Sequence, residues 1–584
     1  MRATMKRTVG SLVLAIGLFA AFASPALADP PDRFEPAVVT TTLQAGASTT
    51  VSKVLHLTGL PAKADIIVAI DATSSMGAGL ARAQADAVQI CTDVQAAIPG
   101  ARFAAVEFED YPMAPYGVAT DDPYELRTPG YTADCATFSA GIGAMVLGNG
   151  LDLPESNNRV HFEAYSDATL LATRDPEATR FLVVLADNVP HSMTSFGACP
   201  STAPLSDPGR NGVNESGAGD DIDTGEAISG LIADDHTLLY ISYNTTTANP
   251  CHASLANATG GVAVPESDAE DIGAFIIDQA AEVPYTVDLA VSAGCQLGIT
   301  FSPAPPYGPF SGESHPMFTE TITAPTVPGS YTCTVTAVMT PGGPTTAVQT
   351  INVLVTPGDP ATLELTPETD TNTVDDEHCV TATVRDAFGN PTPGIVVRFS
   401  VAGSVTTSGS ATTNAAGQAE FCYTGPALPG ADVITAYADT DGDNVNDASE
   451  PEDTAAKAWV IPASTPGCKV TYGGRITAAN GDKATFGGNA KADGLKGNAN
   501  YQDHGPAADV HIQSADIDAV VCSADGTSAM IFGTATVDGS GSFDFRIDVE
   551  DPGEPGSSDT YRIRVSNGYD SGEQVLEGGN IQIH

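Results

Sequence analysis

Basic residues are scarce in this chain. Its 584 residues include 24 Lys and Arg against 72 Asp and Glu, which gives a formal net charge of −48 at pH 7. A surface this acidic repels the phosphates of nucleic acids and the headgroups of anionic lipids. We therefore expect no nucleic-acid partner. The charge is interpreted first as a source of solubility in an extracellular or salty medium, and alternatively as an adaptation to a cationic partner.

Long apolar runs are missing after the first residues. No later segment offers the roughly 20 uninterrupted apolar residues that a transmembrane helix needs. The N-terminus carries Arg2, Lys6 and Arg7, then an apolar run, then Ala26-Leu27-Ala28, which is typical of a cleaved secretory signal. We predict a signal peptide at 1–28 and no membrane span in the mature protein. The predicted location is secreted, extracellular or cell-surface associated.

Cys-x-x-Cys pairs are also missing, which argues against structural zinc. The ten cysteines form an even set, and an exported protein can form disulfides. Proximity in the sequence alone predicts five bridges. The predicted pairs are Cys91 with Cys135, Cys199 with Cys251, Cys295 with Cys333, Cys379 with Cys422, and Cys468 with Cys522.

Common catalytic motifs are absent. The sequence has no Gly-x-Ser-x-Gly, no His-Glu-x-x-His and no phosphate-binding Gly loop followed by Lys. Ser75 is a poor candidate nucleophile because its neighbours are metal ligands in type. We therefore expect a non-enzyme.

The residues that are present predict a multidomain fold. From 64 to 283, apolar strand-like runs alternate with helical patterns, as in a doubly wound, Rossmann-like α/β domain. The predicted strands are 65–70, 102–108, 180–185 and 237–243, and the predicted helices are 78–98, 156–173, 220–233 and 268–281. After residue 284 the pattern changes to short alternating runs between turns, which predicts all-β Ig-like sandwiches. The predicted β units are 284–355, 357–461 and 467–584, and residues 29–63 can pair with 284–355.

Oxygen-bearing side chains follow the first α/β strand. The run Asp65-Ile-Ile-Val-Ala-Ile-Asp71-Ala-Thr73-Ser-Ser75 ends in a carboxylate and two hydroxyls at two-residue spacing. Open α/β sheets bind ligands at the carboxyl ends of their strands, and hard divalent cations prefer oxygen donors. The pattern predicts a metal-binding loop.

This loop resembles the metal-ion-dependent adhesion site, or MIDAS, of von Willebrand factor A domains, with Thr73 in place of the first Ser of Asp-x-Ser-x-Ser. Gly150-Leu-Asp152-Leu-Pro154-Glu155 is similar to the Asp-x-Pro-Glu loop of integrin β subunits, and Asp187 stands where the family places a second Asp. The resemblance implies a Mg²⁺ or Mn²⁺ site, with one coordination position open to a carboxylate of a partner. The implied ligands are Asp71, Thr73, Ser75, Glu155 and Asp187.

The match also has departures. Asn188 replaces the usual Gly, Gly77-Ala78 replace the acids of an adjacent regulatory site, and Leu151 stands where integrin β chains carry an Asn ligand for a further cation. The departures at Gly77-Ala78 and Leu151 favour a single cation. The alternatives are a domain that has lost metal binding and, for Glu155, an ordinary acid at a helix N-terminus.

Two sequence segments within the β units lead to further predictions. Residues from Val384 to Phe421 resemble a bacterial Ig-like domain of the invasin and intimin type, which implies a spacer. The loop from Asp439 to Glu450 places acids at the side-chain ligand positions of an EF-hand loop, so we predict either a calcium site or a solvated acidic turn. The calcium ligands would be Asp439, Asp441, Asp443, Asp447 and Glu450.

The last unit, 467–584, resembles a terminal β module of secreted multidomain bacterial proteins. Its Asp503, His504 and His511 are interpreted as surface or structural polar residues rather than as metal ligands.

Together these features predict a secreted adhesion or interaction protein. The α/β domain would bind an extracellular protein or surface ligand that bears a carboxylate, and the β units would space or anchor that domain. Two alternatives stay open: a structural extracellular protein with a degenerate metal site, and an exported enzyme with catalysis in the C-terminal module.

Overall fold

The computed structural model describes residues 32–215 and 220–584. The predicted signal peptide lies outside these ranges. Within them, no helix has both the length and the apolar character that a membrane crossing requires. The chain divides into two compact units, and the main division falls after Leu354.

The first unit combines an α/β region, residues 63–283, with strands on either side of it in the sequence. Its strands are β1 (Arg33–Glu35), β2 (Val38–Gln44), β3 (Ser48–His56), β4 (Lys63–Asp71), β5 (Gly100–Phe108), β6 (Glu125–Leu126), β7 (Thr179–Ala186), β8 (His236–Ser242), β9 (Ala263–Pro265), β10 (Tyr285–Val291), β11 (Gly298–Ser302), β12 (Tyr307–Phe310), β13 (Met317–Thr323), β14 (Gly329–Thr340) and β15 (Gly343–Thr356). Its helices are α1 (Gly77–Ala97), α2 (Cys135–Gly143), α3 (Asn157–Ser166), α4 (Ala168–Thr173), α5 (Thr224–Ala233), α6 (Pro250–Ala258) and α7 (Ile272–Glu282).

The α/β region is a six-stranded sheet in the order β6-β5-β4-β7-β8-β9, with β6 as an antiparallel edge. The central strand β4 is buried on both faces because its side chains alternate between two apolar clusters. Ile66 and Val68 pack with α1, α2 and α7, whereas Ile67 and Ala69 pack with α3, α5 and α6. The sheet therefore has helices on both faces, as the sequence predicts.

The helices depart from the prediction in two ways: one predicted helix is divided, and two observed helices were not predicted. The helix expected at 156–173 is split in two because the Asp167 side chain accepts hydrogen bonds from the backbone of Thr169 and Leu170 and so caps α4. Helices α2 and α6 were not predicted. Helix α6 has a recognisable start, since Asn249 caps it and Pro250 occupies its first turn.

The remaining strands of the first unit form a β-sandwich. One sheet has the order β1-β3-β13-β11 and the other β12-β10-β14-β15-β2. Val54 on β3 lies opposite Met317 on β13 in an antiparallel register. Strands from both sides of the α/β region thus share each sheet, and the α/β region is an insertion between β3 and β10.

The second unit contains strands alone apart from one short 3-10 turn. The Ig-like region has sheets β16-β18-β21 and β17-β23-β22-β19-β20, whereas residues 467–584 form one nine-stranded sheet. Its strands are β16 (Pro360–Thr366), β17 (Thr369–Thr373), β18 (Glu377–Asp386), β19 (Val396–Gly403), β20 (Thr407–Thr412), β21 (Gln418–Thr424), β22 (Gly430–Asp439), β23 (Glu452–Val460), β24 (Lys469–Thr477), β25 (Lys483–Lys491), β26 (Lys496–His504), β27 (Asp509–Cys522), β28 (Ser528–Val537), β29 (Ser540–Glu550), β30 (Thr560–Val565), β31 (Gln574–Val575) and β32 (Gly578–Ile583).

The sandwich predicted for 467–584 is therefore wrong. The single antiparallel sheet curls until β31 contacts β24, and one apolar cluster fills its interior. Phe486 stacks on Tyr561 there, with ring centroids 3.8 Å apart. Alternating burial has the same period in the two sheets of a sandwich and in a single curled sheet, so the sequence pattern could not distinguish the two.

The five predicted disulfides are confirmed. All ten cysteines are paired as proximity in the sequence predicts, at separations of 38 to 54 residues. Each bridge lies within one of the regions described above.

Histidines buried in the α/β core should make this region sensitive to acid. His161 and His252 are 0% exposed, and burial lowers the pKa of His161 to about 3 and that of His252 to about 4. The folded state therefore keeps these rings neutral, whereas the unfolded chain takes up protons below pH 6.5. Stability is present above pH 6.5 and is lost as the pH falls toward 4.

We expect the His161→Gln variant to lose stability less steeply on acidification, by roughly 1 kcal/mol per pH unit. The measurement is urea unfolding followed by helical circular dichroism, because the α-helices of the described residues all lie in the α/β region. His315→Gln, at a side chain that is 48% exposed, is the matched control and should keep the wild-type slope. Equal slopes for all three proteins would contradict the prediction.

Candidate metal centre

The predicted ligands meet at the carboxyl edge of the parallel sheet. Asp71 is the last residue of β4, and Asp187 directly follows β7. Glu155 reaches them from the loop that precedes α3. Neighbouring parallel strands end at one edge, so residues far apart in sequence can converge there.

The loop after β4 is organised by its own side chains. Asp71 Oδ1 accepts hydrogen bonds from the Thr73 backbone N–H at 2.9 Å and from Thr73 Oγ1 at 2.7 Å. Thr73 Oγ1 also lies 3.2 Å from Ser75 Oγ and 3.5 Å from Glu155 Oε1. Asp71 and Thr73 are buried, whereas Ser75 is exposed. The hydroxyl side of the cluster therefore opens to solvent.

Three carboxylates form the centre of this cluster. One oxygen each from Asp71, Glu155 and Asp187 lie within 4.8 Å of one another. Asp71 Oδ2 and Glu155 Oε2 are buried and have no hydrogen-bond partner. Buried carboxylate oxygens are normally hydrogen-bonded or bound to metal. An all-oxygen set with two hydroxyls beside it fits a hard divalent cation such as Mg²⁺ or Mn²⁺.

Asp187 is held in place by two amides. Asn188 Nδ2 donates to its Oδ1 at 2.9 Å, and Asn244 Nδ2 donates to its Oδ2 at 2.7 Å. The Asn188 carbonyl in turn accepts from His252 Nε2 at 2.8 Å. Asn188, a departure from the family pattern, therefore helps to orient the neighbouring carboxylate. Its side chain leaves Asp187 with acceptor capacity, because each carboxylate oxygen has two lone pairs.

Burial and the repulsion between neighbouring carboxylates both raise the pKa values of Asp71 and Glu155. Burial, followed by the charge of Asp187, raises the pKa of Asp71 to about 7. Burial, followed by the charge of Asp71, raises the pKa of Glu155 well above its ordinary value. A divalent cation would favour the charged forms of both groups. Burial and the neighbouring charges therefore disfavour the ionised forms of both acids, and a bound cation would offset this effect.

A second cluster adjoins the first, and the sequence interpretation missed it. Asp110, Asp152 and His191 each offer a ligand atom within 4.8 Å of the others. His191 Nε2 lies 3.6 Å from Asp152 Oδ1 and 3.9 Å from Asp110 Oδ1. Both His191 ring nitrogens and both Asp110 oxygens are buried without a hydrogen-bond partner. Two carboxylates and an imidazole can hold a divalent cation.

One sequence signal could have revealed this cluster. Asp110 follows the end of β5, the strand next to β4, so its position at the same sheet edge was predictable. His191 lies in an irregular loop and gave no such signal. Leu151, on which the sequence-based argument against a companion site depends, is 58% exposed. Burial raises the pKa of Asp110 to about 8, with the charges of Asp152 and Asp71 contributing next.

The predicted calcium loop brings together three of its five acids. Asp439, Asp441 and Glu450 offer oxygens within 4.8 Å of one another, and Asn444 adopts a positive φ of 68°. However, Arg398 Nε donates to Asp439 Oδ2 at 2.6 Å. Glu450 accepts hydrogen bonds from loop backbone groups. A calcium ion would compete with these contacts, so calcium binding stays a prediction.

The polar residues of the C-terminal region have partners of their own. Asp503 is buried and accepts from Tyr569 OH at 2.8 Å and from Asn480 Nδ2 at 2.9 Å. His504 Nε2 contacts Thr485 Oγ1, and His511 Nε2 contacts Asn500 Nδ2. These contacts give the three side chains structural roles within the sheet.

Comparison with known proteins identifies one region of the chain. Residues 361–448 match the family described as "Bacterial Ig-like domain (group 1)", which confirms the predicted Ig-like domain. No curated protein matches the chain significantly.

One solved structure is similar to part of the chain, and another is similar to most of it. A von Willebrand factor type A protein from Catenulispora acidiphila is 16% identical, with 56% of this chain and 74% of that chain covered and a TM-score of 0.27. The pilus adhesin SpaC from Lactobacillus rhamnosus GG, in an open conformation, is 10% identical, with 92% of this chain and 90% of that chain covered and a TM-score of 0.27. At these identities and TM-scores, neither similarity decides fold or function.

Proposed function

We propose that this chain is a secreted or surface-associated adhesion protein whose α/β region binds a carboxylate of a partner through Mg²⁺ or Mn²⁺. One observation carries the proposal. Three carboxylates from separate loops converge at one edge of the sheet, and two of their buried oxygens have no hydrogen-bond partner. Burying carboxylate oxygens without a partner costs free energy, unless a bound cation supplies the missing interaction.

Each side chain has a distinct role in this proposal. Thr73 donates its hydroxyl proton to Asp71 Oδ1 at 2.7 Å, which leaves the lone pairs of Thr73 Oγ1 directed away from Asp71. Asn188 and Asn244 orient Asp187. The bound cation would supply an open coordination position, and the exposed Ser75 marks the side from which a partner could approach. No residue of this site is assigned to bond making or breaking, so the role proposed for the site is binding and not turnover.

The Ig-like region supports the second half of the proposal. Its two sheets enclose one apolar core, which also includes Ala519 and Phe532 from the C-terminal region. Arg546 of that region pairs with Asp375 of the Ig-like region. A shared core and an ion pair between the two regions make the second unit suitable as a spacer.

The test compares two immobilised peptides that differ only in one Asp or Asn side chain. We expect full-length protein to bind beads that carry the Asp peptide in Mg²⁺, to lose that binding in EDTA, and to ignore the Asn peptide. The reason is that a carboxylate, but not a carboxamide, adds a strong charged ligand to Mg²⁺. Beads allow many weak contacts to act together.

Asp71→Ala and Asp86→Asn provide the matched comparison. Asp86 is on α1 with a side chain that is 48% exposed, so its substitution should leave binding intact, whereas Asp71→Ala should abolish it. Binding to both peptides alike in EDTA would contradict metal-dependent recognition. That result would favour the alternative of a structural extracellular protein with a degenerate site.

A further inference from the structure

The β-sandwich of the first unit encloses three polar side chains in its core. Lys53 on β3, Glu320 on β13 and Gln349 on β15 are 1%, 0% and 0% exposed. Strands β3 and β13 are neighbours in one sheet, whereas β15 belongs to the other sheet. The three side chains therefore meet between the sheets. Lysine is almost never fully buried unless it is paired, so its presence here requires an explanation.

The amine and the carboxamide both approach the same carboxyl oxygen. Gln349 Nε2 donates to Glu320 Oε2 at 2.7 Å, and Lys53 Nζ lies 3.8 Å from that oxygen. Lys53 Nζ also donates to the Pro36 carbonyl at 2.7 Å. Glu320 Oε1 and Gln349 Oε1 are buried without a hydrogen-bond partner. The trio is thus a buried, incompletely satisfied polar cluster.

A well-satisfied ion pair does not account for this arrangement. The distance of 3.8 Å between Lys53 Nζ and Glu320 Oε2 is longer than a charged hydrogen bond, which spans about 2.7–2.9 Å. Burial lowers the pKa of Lys53 and raises the pKa of Glu320. Both changes favour an uncharged amine beside a protonated carboxyl group. An uncharged amine is a nucleophile, and a protonated carboxyl group beside the carboxamide nitrogen can give that nitrogen a proton as it leaves.

We propose that Lys53 and Gln349 form an intramolecular isopeptide bond across the sandwich, with Glu320 transferring the proton. Lys53 Nζ adds to Gln349 Cδ, and an N–C bond forms. The bond between Cδ and Nε2 then breaks, and Nε2 leaves as ammonia with the proton that Nζ loses through Glu320. Glu320 returns to its starting state, so the step needs no oxidant, reductant or cofactor. The product is a neutral amide in place of a buried amine.

This bond would have a mechanical consequence. Lys53 precedes the inserted α/β region, and Gln349 follows it. A covalent link between them closes a loop that contains the whole α/β region. Tension that enters the chain outside residues 53–349 would then pass through the link and bypass the candidate metal centre.

The test is the mass of the full-length protein after its disulfides are reduced. We expect wild type to be lighter than its own processed sequence by one ammonia, and a proteolytic map to contain one peptide pair that joins Lys53 to Gln349. Lys53→Met, Gln349→Leu and Glu320→Gln should each retain their full sequence mass. Glu320→Gln keeps the shape of the cluster, so it tests the proton-transfer role separately from the two bonded residues.

Lys457 provides a matched control. It is 1% exposed but pairs with Asp370 at 2.5 Å instead of approaching a carboxamide, so Lys457→Met should keep the loss of one ammonia. Folded wild-type protein with its full sequence mass and no linked peptide would overturn the proposal. That measurement needs no variant, so a variant that fails to fold does not leave the proposal untested. It is also independent of metal binding.

Discussion

We expect the Asp71→Asn variant to lose Mg²⁺ binding and, without metal, to be more stable than wild type at pH 8. Burial raises the pKa of Asp71 from 3.8 to about 7. Between these values the folded state holds a proton that the unfolded chain releases, so wild-type stability falls as the pH rises through this interval. Asparagine cannot ionise and avoids that loss, which amounts to at most about 4 kcal/mol.

Two measurements on full-length protein check this expectation. Isothermal calorimetry with Mg²⁺ and Mn²⁺ should give heat for wild type and none for Asp71→Asn. Urea unfolding in EDTA at pH 8 should show the variant with the higher free energy of unfolding, while saturating Mg²⁺ should stabilise wild type alone, by about 2.7 kcal/mol at 100 times Kd. Asp86→Asn should behave as wild type in both. Undiminished Mg²⁺ binding by Asp71→Asn would show that the cluster does not hold the cation.

The second large effect is expected at Trp459 in the Ig-like core. Trp459 is 2% exposed, and its Nε1 donates to Asp432 Oδ2 at 2.7 Å. Tyr423 meets its ring edge-on, with centroids 5.9 Å apart. Trp459→Ala removes this packing and leaves a cavity, which costs about 3–5 kcal/mol. Loss of the indole N–H also removes one of the hydrogen bonds to the buried Asp432.

Hydrogen exchange followed by mass spectrometry is the suitable measurement, because the substitution removes the only Trp and with it the fluorescence signal. We expect amides of β18 and β22 to exchange about a hundredfold faster or more in Trp459→Ala. Val460→Ala is the control, since Val460 follows on the same strand and is 42% exposed. A surface position of this kind should change stability by less than about 0.5 kcal/mol. Equal protection in the two variants would contradict the assignment of Trp459 as a main contributor to this core.

Local sequence patterns predicted much of the fold. The apolar run 66–70 predicts a buried central strand because polar side chains are absent from both of its faces. The alternation after residue 284 predicts strands because its period is two. Disulfide pairs were predictable because each bridge closes a short segment within one region. Helices α2 and α6 were missed, since their short sequences lack a clear helical apolar period.

The candidate metal centre was predictable only in part. Asp71, Thr73 and Ser75 stand together in the sequence, and their spacing alone indicates a loop of oxygen donors. Glu155 and Asp187 were connected to that loop through a family resemblance and not through their own pattern. Asp110 and His191 lie next to the site, but neither belongs to a motif.

By itself, the sequence determined an acidic chain, with an α/β region followed by β regions, and a strand that ends in hydroxyl and carboxyl groups. These properties depend on composition and on neighbours within a few residues. The tertiary structure decided which distant groups meet: Asn188 and Asn244 around Asp187, the trio of Asp110, Asp152 and His191, and Lys53 with Glu320 and Gln349 between two sheets. Such meetings depend on strand order and on which face each side chain occupies, and a shift of one residue in register reverses that face. Local pattern cannot predict them, because β3 pairs with β13 and β15 pairs with β2, and the whole inserted region separates the two members of each pair in the sequence.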